Sequence, residues 1–121
     1  MSSAARLAQP RPTTAGYILA IAVGTGVAVT GALLPAQLSV WWLDTVAHVA
    51  GGATLALGLR IITTPRRTAA ATVALSLAWE GVEWAVGWPF IVSVPDTQLD
   101  LIAGWAGLAA VLVLARAAAT R

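Results

Sequence analysis

The chain has 121 residues, of which 59 % are hydrophobic, and its mean hydropathy is +0.83. Only 10 % are charged, against about 25 % in soluble domains, so the composition excludes a water-soluble domain and a disordered chain. The length fits one domain, and the absence of cysteine excludes a disulfide scaffold. The net charge of +2 comes from scattered arginines that are not interleaved with aromatic residues, which argues against nucleic-acid binding.

Four hydrophobic segments dominate the chain, at residues 16–34, 38–62, 68–88 and 99–115. Each approaches the roughly 20 apolar residues that a transmembrane helix needs. Pro35, Pro65, Pro89 and Pro95 separate the segments, and proline is typical of helix ends because it lacks an N–H group.

The connections between these segments are short, which makes sequential helices antiparallel. We therefore predict an all-α, integral membrane four-helix up-down bundle over residues 15–118, after a disordered cytoplasmic tail over residues 1–14. A signal peptide is the alternative for the N-terminal part, but the first apolar run exceeds the roughly 7–15 residues of such signals.

The charges separate toward the two ends of this predicted bundle. One side carries all seven arginines: Arg6, Arg11, Arg60, Arg66, Arg67, Arg116 and Arg121. Because basic residues accumulate in cytoplasmic loops, both termini are predicted to be cytoplasmic, in a multi-pass protein of the inner (plasma) membrane. The opposite side carries the acids, the single histidine and an interfacial belt of Trp41, Trp42, Trp88 and Phe90.

Six ionisable residues in the outer half form three pairs at helical spacing. The pairs are Asp44 with His48, Glu80 with Glu83, and Asp96 with Asp100. Residues three or four apart share one helix face, and facing lipid costs an acid about 2.5–3.5 kcal/mol at a helix centre. We therefore expect the pairs to face the interior, where His48, Glu80 and Asp100 converge.

A cluster of five carboxylates and one imidazole needs a neutralising partner, because crowded carboxylates repel one another. Protons or a cation can supply it, and helix bundles build di-iron and di-manganese sites from such inward-facing pairs. The oxygen-rich donors with one imidazole suit Mn, Fe, Zn, Ca or Mg. The predicted metal ligands are Asp44, His48, Glu80, Glu83, Asp96 and Asp100.

Several of these residues also have a purely structural interpretation. Asp96 is a candidate N-cap of the fourth helix, Asp44 is placed to stabilise a helix start through the dipole, and Glu83 is near enough to the interface to stay solvated. Trp79, Trp84 and Trp105 are interpreted as packing or interfacial residues rather than as a ligand cage.

Small residues mark the predicted helix contacts, because they let backbones approach closely in lipid. They are Gly24 and Gly26 in the first segment, Ala47, Gly51 and Gly52 in the second, and Gly104 and Gly107 in the fourth.

The sequence also resembles a known family over roughly residues 40–110. The motifs are Leu43-Asp44-x-x-x-His48-x-x-Gly51-Gly52, Trp79-Glu80-x-x-Glu83-Trp84 and Asp96-Thr97-x-x-Asp100-Leu101. They are similar to those of YjdF-type small bacterial membrane proteins, whose function is undefined, and more loosely to VanZ-like proteins, which are associated with glycopeptide resistance. Glu83-Trp84 stands where the VanZ-like pattern has Glu-x-x-Gln, which argues against a resistance role.

Three functions are compatible with the sequence. The leading one is cation binding with metal-dependent chemistry on a lipid or envelope substrate, in which the metal activates a water molecule. The alternatives are a proton or cation transporter and a non-catalytic subunit of a larger membrane complex. The lipid bilayer is the predicted partner, with other membrane subunits or a homo-oligomer as further candidates. No motif identifies catalytic residues.

Overall fold

The computed structural model of the protein describes residues 14–34, 41–87, 90 and 92–120. They form four α-helices: α1 (Thr14–Leu33), α2 (Trp41–Ile62), α3 (Pro65–Val86) and α4 (Val94–Ala119). These ranges contain no strand, which confirms the all-α prediction. The predicted tail lies outside the described residues except for Thr14, as do most of the connection between α1 and α2 and part of that between α3 and α4.

The helices α3 and α4 begin earlier in the chain than their hydrophobic segments predict. Thr64 caps α3 by accepting a hydrogen bond from the backbone N–H of Arg67, and Ser93 caps α4 in the same way for Asp96. Pro65 and Pro95 follow within the first turns. Proline is tolerated there because the first N–H groups of a helix have no intrahelical acceptor. The two prolines therefore mark helix ends, as predicted, but they lie inside the first turn rather than before it.

The helix α2 is the centre of the molecule. It packs against α1, α3 and α4, and α3 also packs against α4, whereas α1 contacts α2 alone among the described helices. The tightest contact is between α2 and α4. A Cβ atom added to Gly52 would overlap the carbonyl group of Gly104, and one added to Gly107 would overlap the carbonyl oxygen of Val49. The predicted role in close helix contact is confirmed for Gly52, Gly104 and Gly107. It is wrong for Gly26, because a Cβ atom added there would have no described atom within 4 Å.

The alignment of α2 with α4 determines which of their residues lie at the same height along the helix axes. In α2 and α4, positions 52 residues apart face each other, since His48 lies beside Asp100 and Gly52 lies against Gly104. Further along the same pair, Ala56 and Leu108 form the apolar core with Val111 of α4, and Ala69 and Val73 of α3 pack against it. The cluster and the apolar core therefore lie at different levels of one helix assembly.

The buried face of α3 is polar and its exposed face is apolar. Its buried residues are Thr68, Thr72, Glu80 and Glu83. Leu75, Leu77, Val82 and Val86 are large hydrophobic residues on the same helix, and each is about half exposed. A helix on the surface of a soluble protein has the reverse distribution. This inverted pattern is the one expected of a helix whose outer surface contacts lipid.

Three helices are long and apolar enough to cross a membrane, over Thr14–Gly31, Trp42–Ile62 and Val94–Ala119. The fourth, α3, has 22 residues, which is about 33 Å at 1.5 Å per residue. It also carries two arginines and two glutamates, so its overall hydropathy is lower. The described arginines, Arg60, Arg66, Arg67 and Arg116, lie where α2 ends, α3 begins and α4 ends.

Candidate metal centre

His48 is at the centre of a cluster built by three helices. Its Nδ1 atom lies 3.8 Å from a carboxylate oxygen of Glu80 on α3. Its Nε2 atom lies 3.6 Å from Asp100 on α4 and 3.7 Å from Asp44, one turn earlier on α2. The predicted convergence of His48, Glu80 and Asp100 is confirmed.

The acids of this cluster are withdrawn from the surface of the molecule. Asp100 is 1 % exposed, and Glu80, Glu83 and Asp44 are also buried. The interpretation of Glu83 as a solvated interfacial residue is therefore wrong. All four described arginines lie at the other end of the helices, and Arg60 is twelve residues from His48 along α2, a rise of about 18 Å. Among the described residues, no basic side chain other than His48 neutralises these acids.

The distances around His48 are too long for direct hydrogen bonds, which span about 2.7–3.2 Å. Two ligands held about 2.1 Å from one octahedral ion lie between about 3 and 4.2 Å apart, and the three separations fall in that range. In addition, Nε2 of His48 has no hydrogen-bond partner in the described structure. The imidazole is therefore not hydrogen-bonded to these carboxylates, and one of its two ring nitrogens is available to an ion that it shares with neighbouring acids.

Two groups of donor atoms in the cluster could each hold a metal ion. The first joins His48, Glu80, Glu83 and Asp100, and the second joins Asp44, Asp96 and Asp100. Within each group, the donor atoms all lie within 4.8 Å of one another. All six residues predicted from the sequence thus take part in one group or the other, and Asp100 takes part in both.

Asp96 does not cap α4, because Ser93 does so. Asp96 instead lies within the first turn, half-buried, and its Oδ2 atom has no hydrogen-bond partner among the described residues. The alternative that Asp96 is only a helix cap is therefore wrong. Asp44 lies in the first turn of α2, where the dipole interpretation places it, and also within the cluster.

Two tryptophans form hydrogen bonds at the edge of the cluster, one to a cluster carboxylate and one to a threonine. The sequence did not predict these bonds. The indole Nε1 of Trp79 donates to Oε1 of Glu83 at 2.5 Å, and that of Trp84 donates to the hydroxyl of Thr97 at 2.9 Å. The first bond orients a cluster carboxylate, and the second ties α3 to α4. The spacing of four residues between Trp79 and Glu83 was the available signal, because it places both on one helix face.

The predicted aromatic belt is described only in part. Trp42 is exposed, and Phe90 meets the ring of Trp79 edge-on with centroids 5.8 Å apart. Trp88 and the side chain of Trp41 lie outside what the structure describes.

A groove of about 330 Å³ leads along α2 to His48. Its floor runs from Ala47 to Leu55 of α2, and one wall is formed by Ala28 and Val29 of α1. The other wall comes from α3, with Leu75, Ser76 and Trp79. Because the described parts of α1 and α3 do not pack together, the groove opens sideways between them. It joins an apolar, laterally open space to the imidazole of the cluster.

Comparison with known proteins gives no assignment. No family model matches the chain, and no curated protein or solved structure matches it. The similarity to YjdF-type and VanZ-like proteins stays a prediction.

Proposed function

We propose that this protein is a multi-pass membrane protein that binds a divalent cation between α2, α3 and α4, using His48, Glu80, Glu83 and Asp100. The observation that carries the proposal is that one donor atom from each of these four residues lies within 4.8 Å of the others, with the three carboxylates buried. His48 is too far from Glu80 and Asp100 to bond directly, and the four donor atoms are close enough to share an ion. A divalent ion also offsets the repulsion among buried acids that have no basic partner nearby.

The proposal includes four membrane spans in an up-down arrangement, with both termini in the cytoplasm. The inverted surface of α3 supports its place in the bilayer, since its buried face holds Glu80 and Glu83 while its exposed face holds leucine and valine. The register of α2 with α4 supports a common direction for these two helices. The arginines at one end support the orientation in the plasma membrane.

Reporter fusions test this topology. A reporter fused after Arg121, or inserted at Thr64 in the connection between α2 and α3, is expected to report cytoplasm in both cases. Both positions lie close to arginines, at the end of the helices that is predicted to be cytoplasmic. A periplasmic signal from either fusion contradicts the four-span arrangement.

The groove supports a lipid as the molecule that meets the ion. Its walls are mainly apolar and it opens sideways, whereas its polar lining includes His48. Small-molecule sites are typically clefts of about 300–1,000 Å³ with apolar walls and a few polar groups, and this groove meets that description. An acyl chain lying along α2 would place its polar head beside the metal, where a metal-activated water could act on it.

Elemental analysis of protein purified without chelator tests the proposed function. We expect at least one divalent ion per chain, lost on treatment with a chelator and regained on adding metal back. The same preparation, extracted into organic solvent for mass spectrometry, is expected to release a bound lipid. Protein that stays free of metal at saturating Mn²⁺, Zn²⁺ and Ca²⁺ contradicts the proposal and favours a proton-conducting or assembly role for the same acids.

A further inference from the structure

The two donor groups of the cluster meet at one residue. The first group consists of Asp100 with His48, Glu80 and Glu83. The second consists of Asp100 with Asp44 and Asp96. Asp100 is the most buried acid in the described structure, at 1 % exposed. A carboxylate has two oxygens, so a single Asp100 can give one oxygen to each of two neighbouring ions.

A separate observation concerns carboxylate oxygens that lack a partner. The Oδ2 atoms of Asp100 and Asp96 are buried without a hydrogen-bond donor among the described residues. Leaving a buried acceptor unsatisfied costs about 1–3 kcal/mol, and more for a charged group. Asp96 belongs only to the second donor group, so an ion bound by His48 and the glutamates does not account for its orphaned oxygen.

The negative charge of the cluster also favours a second divalent ion. Five carboxylates surround one imidazole, and a single divalent ion leaves most of that negative charge uncompensated. A second divalent ion removes nearly all of it. Two-metal sites in proteins hold their ions about 3.5–4 Å apart, a separation that one bridging carboxylate spans.

We propose that the cluster binds two divalent cations side by side, bridged by Asp100. The first position is completed by His48, Glu80 and Glu83, and the second by Asp44 and Asp96. This inference rests on the proposed function, because it needs the first position to bind metal. It goes further in assigning a second metal site and in giving Asp100 the bridging role.

Titration of chelator-treated full-length protein with Mn²⁺ tests the two-ion site. We expect two Mn²⁺ bound per chain at saturation, measured by equilibrium dialysis with elemental analysis, and an electron paramagnetic resonance spectrum of exchange-coupled Mn²⁺. One Mn²⁺ per chain overturns the two-ion site and leaves the proposed function intact. No bound Mn²⁺ overturns the two-ion site, and the additional absence of bound Zn²⁺ and Ca²⁺ overturns the proposed function as well. Two Mn²⁺ ions without magnetic coupling overturn the bridge.

Variants of α4 locate the two positions. Asp96→Asn is expected to bind one Mn²⁺ with an uncoupled spectrum, whereas Asp100→Asn is expected to weaken binding at both positions by at least tenfold. Gln98→Ala is the matched control, because Gln98 is exposed on the same turn and belongs to neither donor group, and it should keep two coupled ions. An Asp96→Asn variant that retains two coupled ions overturns the assignment. Where Asp96→Asn does not fold, the count and spectrum of the native protein still decide the proposal.

Discussion

Glu80→Gln is expected to remove most of the stabilisation that divalent metal gives this protein. In buffer with excess divalent metal, the variant should unfold more easily than the parent, because it loses a charged ligand of the first ion. A ligand that binds only the folded state stabilises it by about 2.7 kcal/mol at a hundredfold excess over its dissociation constant. Most of that stabilisation should disappear from the variant.

In chelator, the same variant should be at least as stable as the parent. Glutamine keeps the shape of the buried side chain and removes one of the mutually repelling charges beside Asp100 and Asp44. The measurement is the thermal unfolding midpoint of parent and variant, in detergent, with metal and with chelator. The two conditions should therefore give differences of opposite sign.

Ser76→Ala provides the matched control for this prediction. Ser76 lies one turn from Glu80 on α3 and donates its hydroxyl to the carbonyl oxygen of Thr72 rather than to a carboxylate. Chelator should lower the unfolding midpoint of Ser76→Ala by the same amount as that of the parent. A parent whose unfolding ignores chelator, together with a Glu80→Gln variant at least as stable in both buffers, would rule out the metal site.

Gly52→Ala is expected to destabilise the protein by forcing α2 and α4 apart. The new Cβ atom would overlap the carbonyl group of Gly104, so α2 and α4 would have to move apart. Overpacking of this kind costs about 1–3 kcal/mol. The same displacement separates His48 from Asp100, so the variant should also lose bound metal.

Gly104→Ala is the control for this substitution, on the opposite side of the same contact. Its added Cβ atom would lie 3.6 Å from the carbonyl oxygen of His48 and 3.7 Å from the hydroxyl of Ser76, which is ordinary packing distance. Since alanine favours a helix over glycine by up to about 1 kcal/mol, this variant should be neutral or slightly stabilised. Equal unfolding midpoints and equal metal contents in the two variants would show that the contact is not as close as described.

The sequence predicted the helices and the cluster because both follow from local spacing. Hydrophobic runs longer than 16 residues admit few structures other than helices in lipid. Pairs such as Asp44 with His48 must share a helix face whatever the tertiary structure. Because the acids and the arginines lie at opposite ends of the predicted helices, the three pairs were expected at the same height in the bundle. The contacts of His48 with Glu80 and Asp100 confirm this.

The features that escaped prediction depend on long-range packing or on ambiguous signals. A proline between two apolar runs is compatible with a break or with a first helical turn, and only the caps at Thr64 and Ser93 distinguish these. The hydrogen bond from Trp84 to Thr97 joins residues 13 positions apart, beyond any helical periodicity. That α1 packs only on α2 among the described helices depends on shape complementarity, which composition does not encode.

The sideways opening between α1 and α3 sets how a ligand of the cluster would be supplied. A molecule entering there arrives by diffusion in the plane of the bilayer, without dissolving in water. Occupancy would then follow the mole fraction of that lipid in the membrane rather than its concentration in bulk solution. Diluting the membrane with an inert lipid would lower the occupancy of the groove even at a constant total amount of the bound lipid. Adding more vesicles of unchanged composition would leave the occupancy unaltered.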